Sequence, residues 1–154
     1  MIGNDIVDLN QALKDSDWNR KDYLKKIFTA EEQFMISSGT CSNLLVWLLW
    51  TMKESAYKVH ARKFKLREFA PLKISCRNLI VHEHHAIGEV NYDEELYYTS
   101  STLQTDYIHT LAAIDQTDLT LAKVMISAYD TSDYRSTGPA SVSHHGKYLA
   151  LAYL

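Results

Sequence analysis

Two carboxylates and one ammonium in this chain have the types and spacing for chemistry on a phosphate. Glu54 and Lys58 lie four residues apart in Trp50-Thr51-Met52-Lys53-Glu54-Ser55-Ala56-Tyr57-Lys58. On a helix that spacing puts both on one face. Trp47 and Trp50 precede them on nearly the same face, so the carboxylate has indole rings on one side and a cation on the other. An ordinary solvated Glu–Lys pair, worth about 0.2–0.5 kcal/mol, has the same spacing. The second carboxylate is Asp5, in Gly3-Asn4-Asp5-Ile6-Val7-Asp8, within a strand otherwise suited to burial. A strand-end turn is its simplest role, but a buried carboxylate needs a partner, and a metal ion is one solution. Asp5 and Glu54 together offer two oxygen ligands, too few for a Ca²⁺ cage. Two suit Mg²⁺, which keeps several waters and is completed by substrate phosphates.

Cations follow. Lys58, Arg62, Lys63, Lys65 and Arg67 are five of the 16 basic residues, with no acid between Ser55 and Arg67. They form either a phosphate-binding stripe, a surface for an acidic protein, or a solvated helix end whose charge complements the dipole. Ser141-Val142-Ser143-His144-His145-Gly146 places hydroxyls and imidazoles where a strand enters a turn, a setting that can hold a phosphate. His82-Glu83-His84-His85 invites a zinc reading. It lacks the His-Glu-x-x-His helix spacing, and no cysteine cluster completes a tetrahedral set. Cys41 and Cys76 read as packing residues. A nucleophile elbow, a Walker loop and a Rossmann glycine fingerprint are absent.

The elements that must position these groups are helical early and extended late. Residues 1–9 read as a strand and residues 18–28 as a helix. Thr29 with Glu32 forms a capping box that starts a new helix, and Gly39 is a plausible stop. Ser42 caps a long helix to about residue 63, which carries Glu54 and Lys58. Residues 72–76, 79–82, 86–92, 95–103 and 107–114 read as antiparallel strands, with a turn at 91–94. Residues 119–129 fit helix or strand, 131–139 are turn-rich, and 147–154 form a last strand. The class is α+β, with a long helix packed on a mostly antiparallel sheet.

Composition narrows the field. The 154 residues, 46% hydrophobic and 23% charged, suit a single domain over the whole span. A net charge of −3 gives no global basic excess for nucleic acid. The longest apolar run, Leu44 to Trp50, is too short to span a bilayer, which takes about 20 residues. Two cysteines and no secretory leader lead to the expectation of a cytoplasmic protein without membrane partners.

Four segments together resemble one family. Ile2-Gly3-Asn4-Asp5-Ile6-Val7-Asp8-Leu9 resembles the Gly-x-Asp-Ile-Val-Glu opening of the holo-acyl-carrier-protein synthase type of 4′-phosphopantetheinyl transferase. Trp50 to Lys58 is similar to the superfamily's Trp-x-x-Lys-Glu-Ser/Ala-x-x-Lys helix, and Phe28-Thr29-Ala30-Glu31-Glu32 to the Phe-Thr-x-x-Glu step before it. Ser141-Val142-Ser143-His144 resembles the Ser-x-Ser-His strand. Their order is that of the short, single-unit members. The chain departs from them at Asn10-Gln11-Ala12, where an Arg is usual, and at Gly138-Pro139.

The resemblance implies transfer of 4′-phosphopantetheine from coenzyme A to a serine of an acyl or peptidyl carrier protein. Fatty acid biosynthesis is the pathway of the short type; polyketide and peptide carriers stay open. It implies Mg²⁺ on Asp5 and Glu54, with Glu54 helping to remove the serine proton and Lys58 on the phosphates. It also implies coenzyme A contacts from Lys58, Arg62, Lys63, Ser143 and His144, with an adjacent subunit as one source of the last two. One copy of each motif is half of what two-unit members hold, so a homo-oligomer is expected, a trimer being favoured. The alternative is a protein of this fold that binds coenzyme A or a carrier without transfer.

Overall fold

The computed structural model describes residues 1–129 and 133–154. In chain order these form β1 (Ile2–Asp8), α1 (Leu9–Asp15), α2 (Tyr23–Ile27), α3 (Ala30–Ser38), α4 (Ser42–Phe64), β2 (Ile74–Val81), β3 (His85–Tyr92), β4 (Glu95–Leu103), β5 (Tyr107–Ala113), α5 (Gln116–Leu121), β6 (Lys123–Ala128), β7 (Ser141–His145) and β8 (Tyr148–Tyr153). The strands make a five-stranded sheet, β1-β5-β4-β3-β2, and a three-stranded sheet, β6-β8-β7. Every pairing is antiparallel. The expected α+β class, a long helix on antiparallel sheet, is what the molecule adopts.

Strand alternation sorts β5 into two cores. Ile108 and Ala112 join Leu48, Leu49, Met52, Ala56 and Val59 of α4 in the main core. Leu111 and Ala113 face the other way and meet Ile2 and Ala152, under the second sheet. Covered on both faces, β1 is buried at all seven positions. That burial makes any polar group on β1 depend on a specific partner.

Local signals account for several boundaries. Both halves of the Thr29–Glu32 capping box form. The long helix runs from Ser42 to Phe64, and Lys65 ends it in a left-handed conformation at φ 56°. The β3–β4 turn has positive φ at Asp93 and Glu94, as a two-residue primed turn needs.

Elsewhere the expectation is corrected. The first strand stops at Asp8, whose carboxylate accepts from the Asn10 and Gln11 amides and caps α1. The helix expected over 18–28 is only Tyr23–Ile27, because Asp22 enters it left-handed at φ 63°. The helix starting at Ser42 has Cys41, not Ser42, at its cap. The ambiguous 119–129 segment splits into the end of α5 and then β6. Of the turn-rich 131–139 segment, residues 131 and 132 lie outside the described residues, and Tyr134–Thr137 is a 3₁₀ turn.

Candidate active site

The Gly-x-Asp spacing has a steric reason. Gly3 and Asp5, two residues apart, share the face of β1 turned toward α4. A Cβ on Gly3 would collide with the Ser55 carbonyl oxygen of α4. Glycine therefore lets the helix backbone rest on the strand, and Asp5 lies beside the next turn. There Lys58 Nζ donates to Asp5 Oδ1 at 3.1 Å and to the Asn4 carbonyl at 2.7 Å. Ser143 Oγ, arriving from β7, donates to the same Asp5 oxygen at 2.8 Å. Asp5 is 8% exposed.

Glu54 lies one turn before Lys58 and is half-buried. Burial first, and then the charge of Asp5, push its carboxyl up to about 7, against the opposing pull of Lys58. Among the described residues no hydrogen bond or ion pair engages Glu54. Beneath the site, His109 is buried and pushed down to about 4, mainly by burial and further by Lys58, so it is neutral near pH 7. Its Nε2 lies 3.3 Å from Asn4 Nδ2, which also donates to the Ala150 carbonyl.

Two neighbouring carboxylates with repulsion left over are a hard-oxygen donor set, and they fit a divalent cation completed by water and substrate oxygens. Among the described residues no group of three or more His, Cys, Asp or Glu side chains is gathered for a metal. His82, His84 and His85 are exposed around the β2–β3 turn and belong to no such group.

The structure thus brings Asp5, Glu54, Lys58 and Ser143 together. The other sequence candidates lie elsewhere or are already engaged. Arg62 donates to the carbonyls of Lys58 (3.0 Å), Ile2 (2.6 Å) and Ala140, so its guanidinium staples α4 to β1 and to the segment before β7. Lys63 pairs with Glu95 at 2.8 Å, at the start of β4. His144 is exposed and stacks on Tyr129 at 4.8 Å. A shallow cleft lined by Lys58, Arg62, Ala140 and Val142 opens beside Lys58.

Two residues of the site's framework were missed. Lys53 and Glu32 form an ion pair of 2.7 Å with both side chains at 0% exposure. Lys53 Nζ also donates to the carbonyls of Ile27 (3.1 Å), Pro71 (2.8 Å) and Ile74 (2.5 Å). Glu32 accepts from the Cys76 amide at 2.7 Å and the Thr29 amide at 2.8 Å. This knot fixes the turn of α4 that presents Glu54. The available signal was a Lys inside an otherwise apolar helix face.

A strand aspartate thus lies under the face of α4 that carries Glu54 and Lys58, in an α+β fold. The chain belongs to the 4′-phosphopantetheinyl transferase superfamily, whose family model matches residues 1–112. That span holds Asp5, Glu54 and Lys58; Ser143 lies beyond it. No curated protein matches the chain. Membership implies transferase activity, with coenzyme A and a carrier protein as partners, in a superfamily that generally uses a divalent metal. Among the described residues no helix is long and apolar enough to cross a membrane.

Proposed function

We propose that the protein transfers 4′-phosphopantetheine from coenzyme A to a serine hydroxyl of an acyl or peptidyl carrier protein, with Mg²⁺, as the holo-acyl-carrier-protein synthase type does. The observation that carries this reading is the Asp5–Glu54 pair, in which Glu54 has no partner among the described residues and burial raises its carboxyl to about 7. The carrier's serine oxygen attacks the pyrophosphate phosphorus that bears the pantetheine arm. The P–O bond to adenosine 3′,5′-bisphosphate breaks, and its electron pair leaves with that product. Glu54, directly or through a water, would help to remove the serine proton. Lys58, held by Asp5 and the Asn4 carbonyl, places its charge where the leaving phosphate gathers negative charge. Asp5 and Glu54 would hold Mg²⁺, which neutralises charge on the pyrophosphate oxygens. The cleft beside Lys58 suits the nucleotide end of coenzyme A.

The reading extends to a homo-oligomer, trimeric by preference, in the cytoplasm. β6 supports association, since Val124 and Met125 are exposed on it at 39% and 56%. The binding-only alternative is favoured by one feature: α1 holds Asn10-Gln11-Ala12, with no Arg to meet a carrier. Incubation with coenzyme A, Mg²⁺ and a panel of apo-carriers, read by intact mass with and without chelator, separates the two. Carrier modified only without chelator supports transfer; coenzyme A bound but no carrier modified supports binding alone.

A further inference from the structure

β1 pairs with β5 along one edge, and its other edge faces β7 without a backbone ladder. Side chains fill that gap in regular steps. The Asn4 amide donates to Ser141 Oγ at 2.9 Å, the Ile6 amide to Ser143 Oγ at 3.1 Å, and the Asp8 amide to His145 Nδ1 at 3.0 Å. Each pair is separated by 137 residues, so β7 runs beside β1 in constant register. Carbonyls on β1 are taken in the same way: Ile2 by Arg62 and Asn4 by Lys58. A buried strand edge must satisfy its polar groups, and here serine hydroxyls and an imidazole do so. That explains the alternation of Ser141, Ser143 and His145, with Val142 and His144 turned the other way.

The middle rung does more. A serine hydroxyl has one proton and two lone pairs. Ser143 accepts from Ile6 and gives its single proton to Asp5 Oδ1. At 5% exposure it has no proton left for a phosphate oxygen. Lys58 and Ser143 both engage Oδ1, which leaves Oδ2 of Asp5 without a partner among the described residues.

We propose that Ser143 is a positioning residue that orients Asp5, and that Ser141 and His145 are the flanking rungs of a side-chain ladder that holds it in register. The positioning claim rests on the function proposed above; the ladder itself does not.

The test compares the full-length wild type with Ser143→Ala, Ser143→Thr and Ser141→Ala. Three quantities are read: KM for coenzyme A, the Mg²⁺ concentration for half-maximal rate, and amide exchange at Ile6 and Asn4. Groups that orient a metal's ligands typically matter by about 10–100-fold in metal affinity. Ser143→Ala is therefore expected to raise the half-saturating Mg²⁺ by about tenfold or more, while KM for coenzyme A stays within about twofold and Ile6 exchange accelerates. Ser143→Thr, which keeps the hydroxyl, restores the Mg²⁺ dependence. Ser141→Ala speeds exchange at Asn4 with a clearly smaller shift in Mg²⁺ dependence, which separates positioning from general loosening. A raised KM for coenzyme A with unchanged Mg²⁺ dependence would make Ser143 a phosphate ligand and overturn the proposal. If no carrier is modified at all, Mn²⁺ binding followed by electron paramagnetic resonance replaces turnover. Weaker Mn²⁺ binding by Ser143→Ala then upholds positioning, and equal or absent binding overturns it. Unchanged Ile6 exchange overturns the ladder in either case.

Discussion

Among the lysines that helix α4 pairs with carboxylates on other elements, Lys53 and Lys58 make pairs that differ in kind. Lys53 and Glu32 are both 0% exposed, and their hydrogen bonds go to backbone groups of four segments. The side chains of Lys58 and Asp5 are 27% and 12% exposed, and beside them Glu54 has no partner among the described residues. A buried pair with every donor and acceptor used is an anchor, because either member alone would be an uncompensated charge. A pair left open to solvent, next to a carboxylate held away from its ordinary titration range, is where a ligand can complete the arrangement. The Lys-Glu dipeptide of residues 53 and 54 therefore splits its two side chains: the lysine fixes the helix, and the glutamate lies beside Asp5 and Lys58.

The contrast breaks most visibly at the anchor. Lys53→Ala strands the Glu32 charge in the core and should cost about 3–5 kcal/mol of stability, read by urea unfolding. A loss under about 1 kcal/mol would mean that the enclosed pair is not an anchor.

Glu54→Gln should act in the opposite sense. The folded carboxyl titrates at about 7 against an ordinary value of 4.5, so between those pH values the folded protein keeps a proton that the unfolded chain has released. Stability then falls as pH rises through that window. Removing the charge should stabilise the metal-free protein at pH 8 by about 2 kcal/mol, allowing for Glu54's partial exposure. The same variant should lose transfer by about 10²-fold or more. Stability that is flat with pH in the wild type would show that Glu54 is not under strain.

Gly3→Ala sharpens the comparison through the backbone. The added methyl must push α4 off β1 at Ser55, costing about 1–3 kcal/mol. It should also raise KM for coenzyme A by moving Lys58, an effect that Lys53 variants rescued by stabilising buffer should not share. Lys63→Ala gives the smallest effect. Its pair with Glu95 is about one-third exposed on both sides, so stability should change by about 0.5 kcal/mol or less. KM for coenzyme A should stay the same, because the pair directs Lys63 to β4.

What the sequence revealed was local. The capping box at Thr29 and Glu32, the turn at Asp93-Glu94 and the period of α4 all depend on neighbours within a few residues. The shared face of Glu54 and Lys58 on α4 was legible for the same reason, while Asp5 stood out because a carboxylate in an apolar strand needs a partner, which here is Lys58. Long-range choices were not legible. Glu32 served visibly as a cap residue, while its ion pair with Lys53 spans the α3–α4 packing. Arg62 looked like one of five cations, yet carbonyls of Ile2 and Ala140 claim it. Asp8 read as the end of a strand motif, but it caps α1 and accepts from the Lys147 amide, closing the β7–β8 turn onto β1. Gly146 belongs to that closure, since at φ 53° a side chain there would strike Asp8.

The most direct test of the Asp5–Glu54–Lys58 site is the intact mass of an apo-carrier after incubation with coenzyme A and Mg²⁺, beside wild-type protein and Glu54→Gln in parallel. The account predicts a carrier heavier by one phosphopantetheine group with the wild type and an unchanged carrier with a folded Glu54→Gln. Equal modification by both, or none by the wild type across acyl and peptidyl carriers, would contradict it.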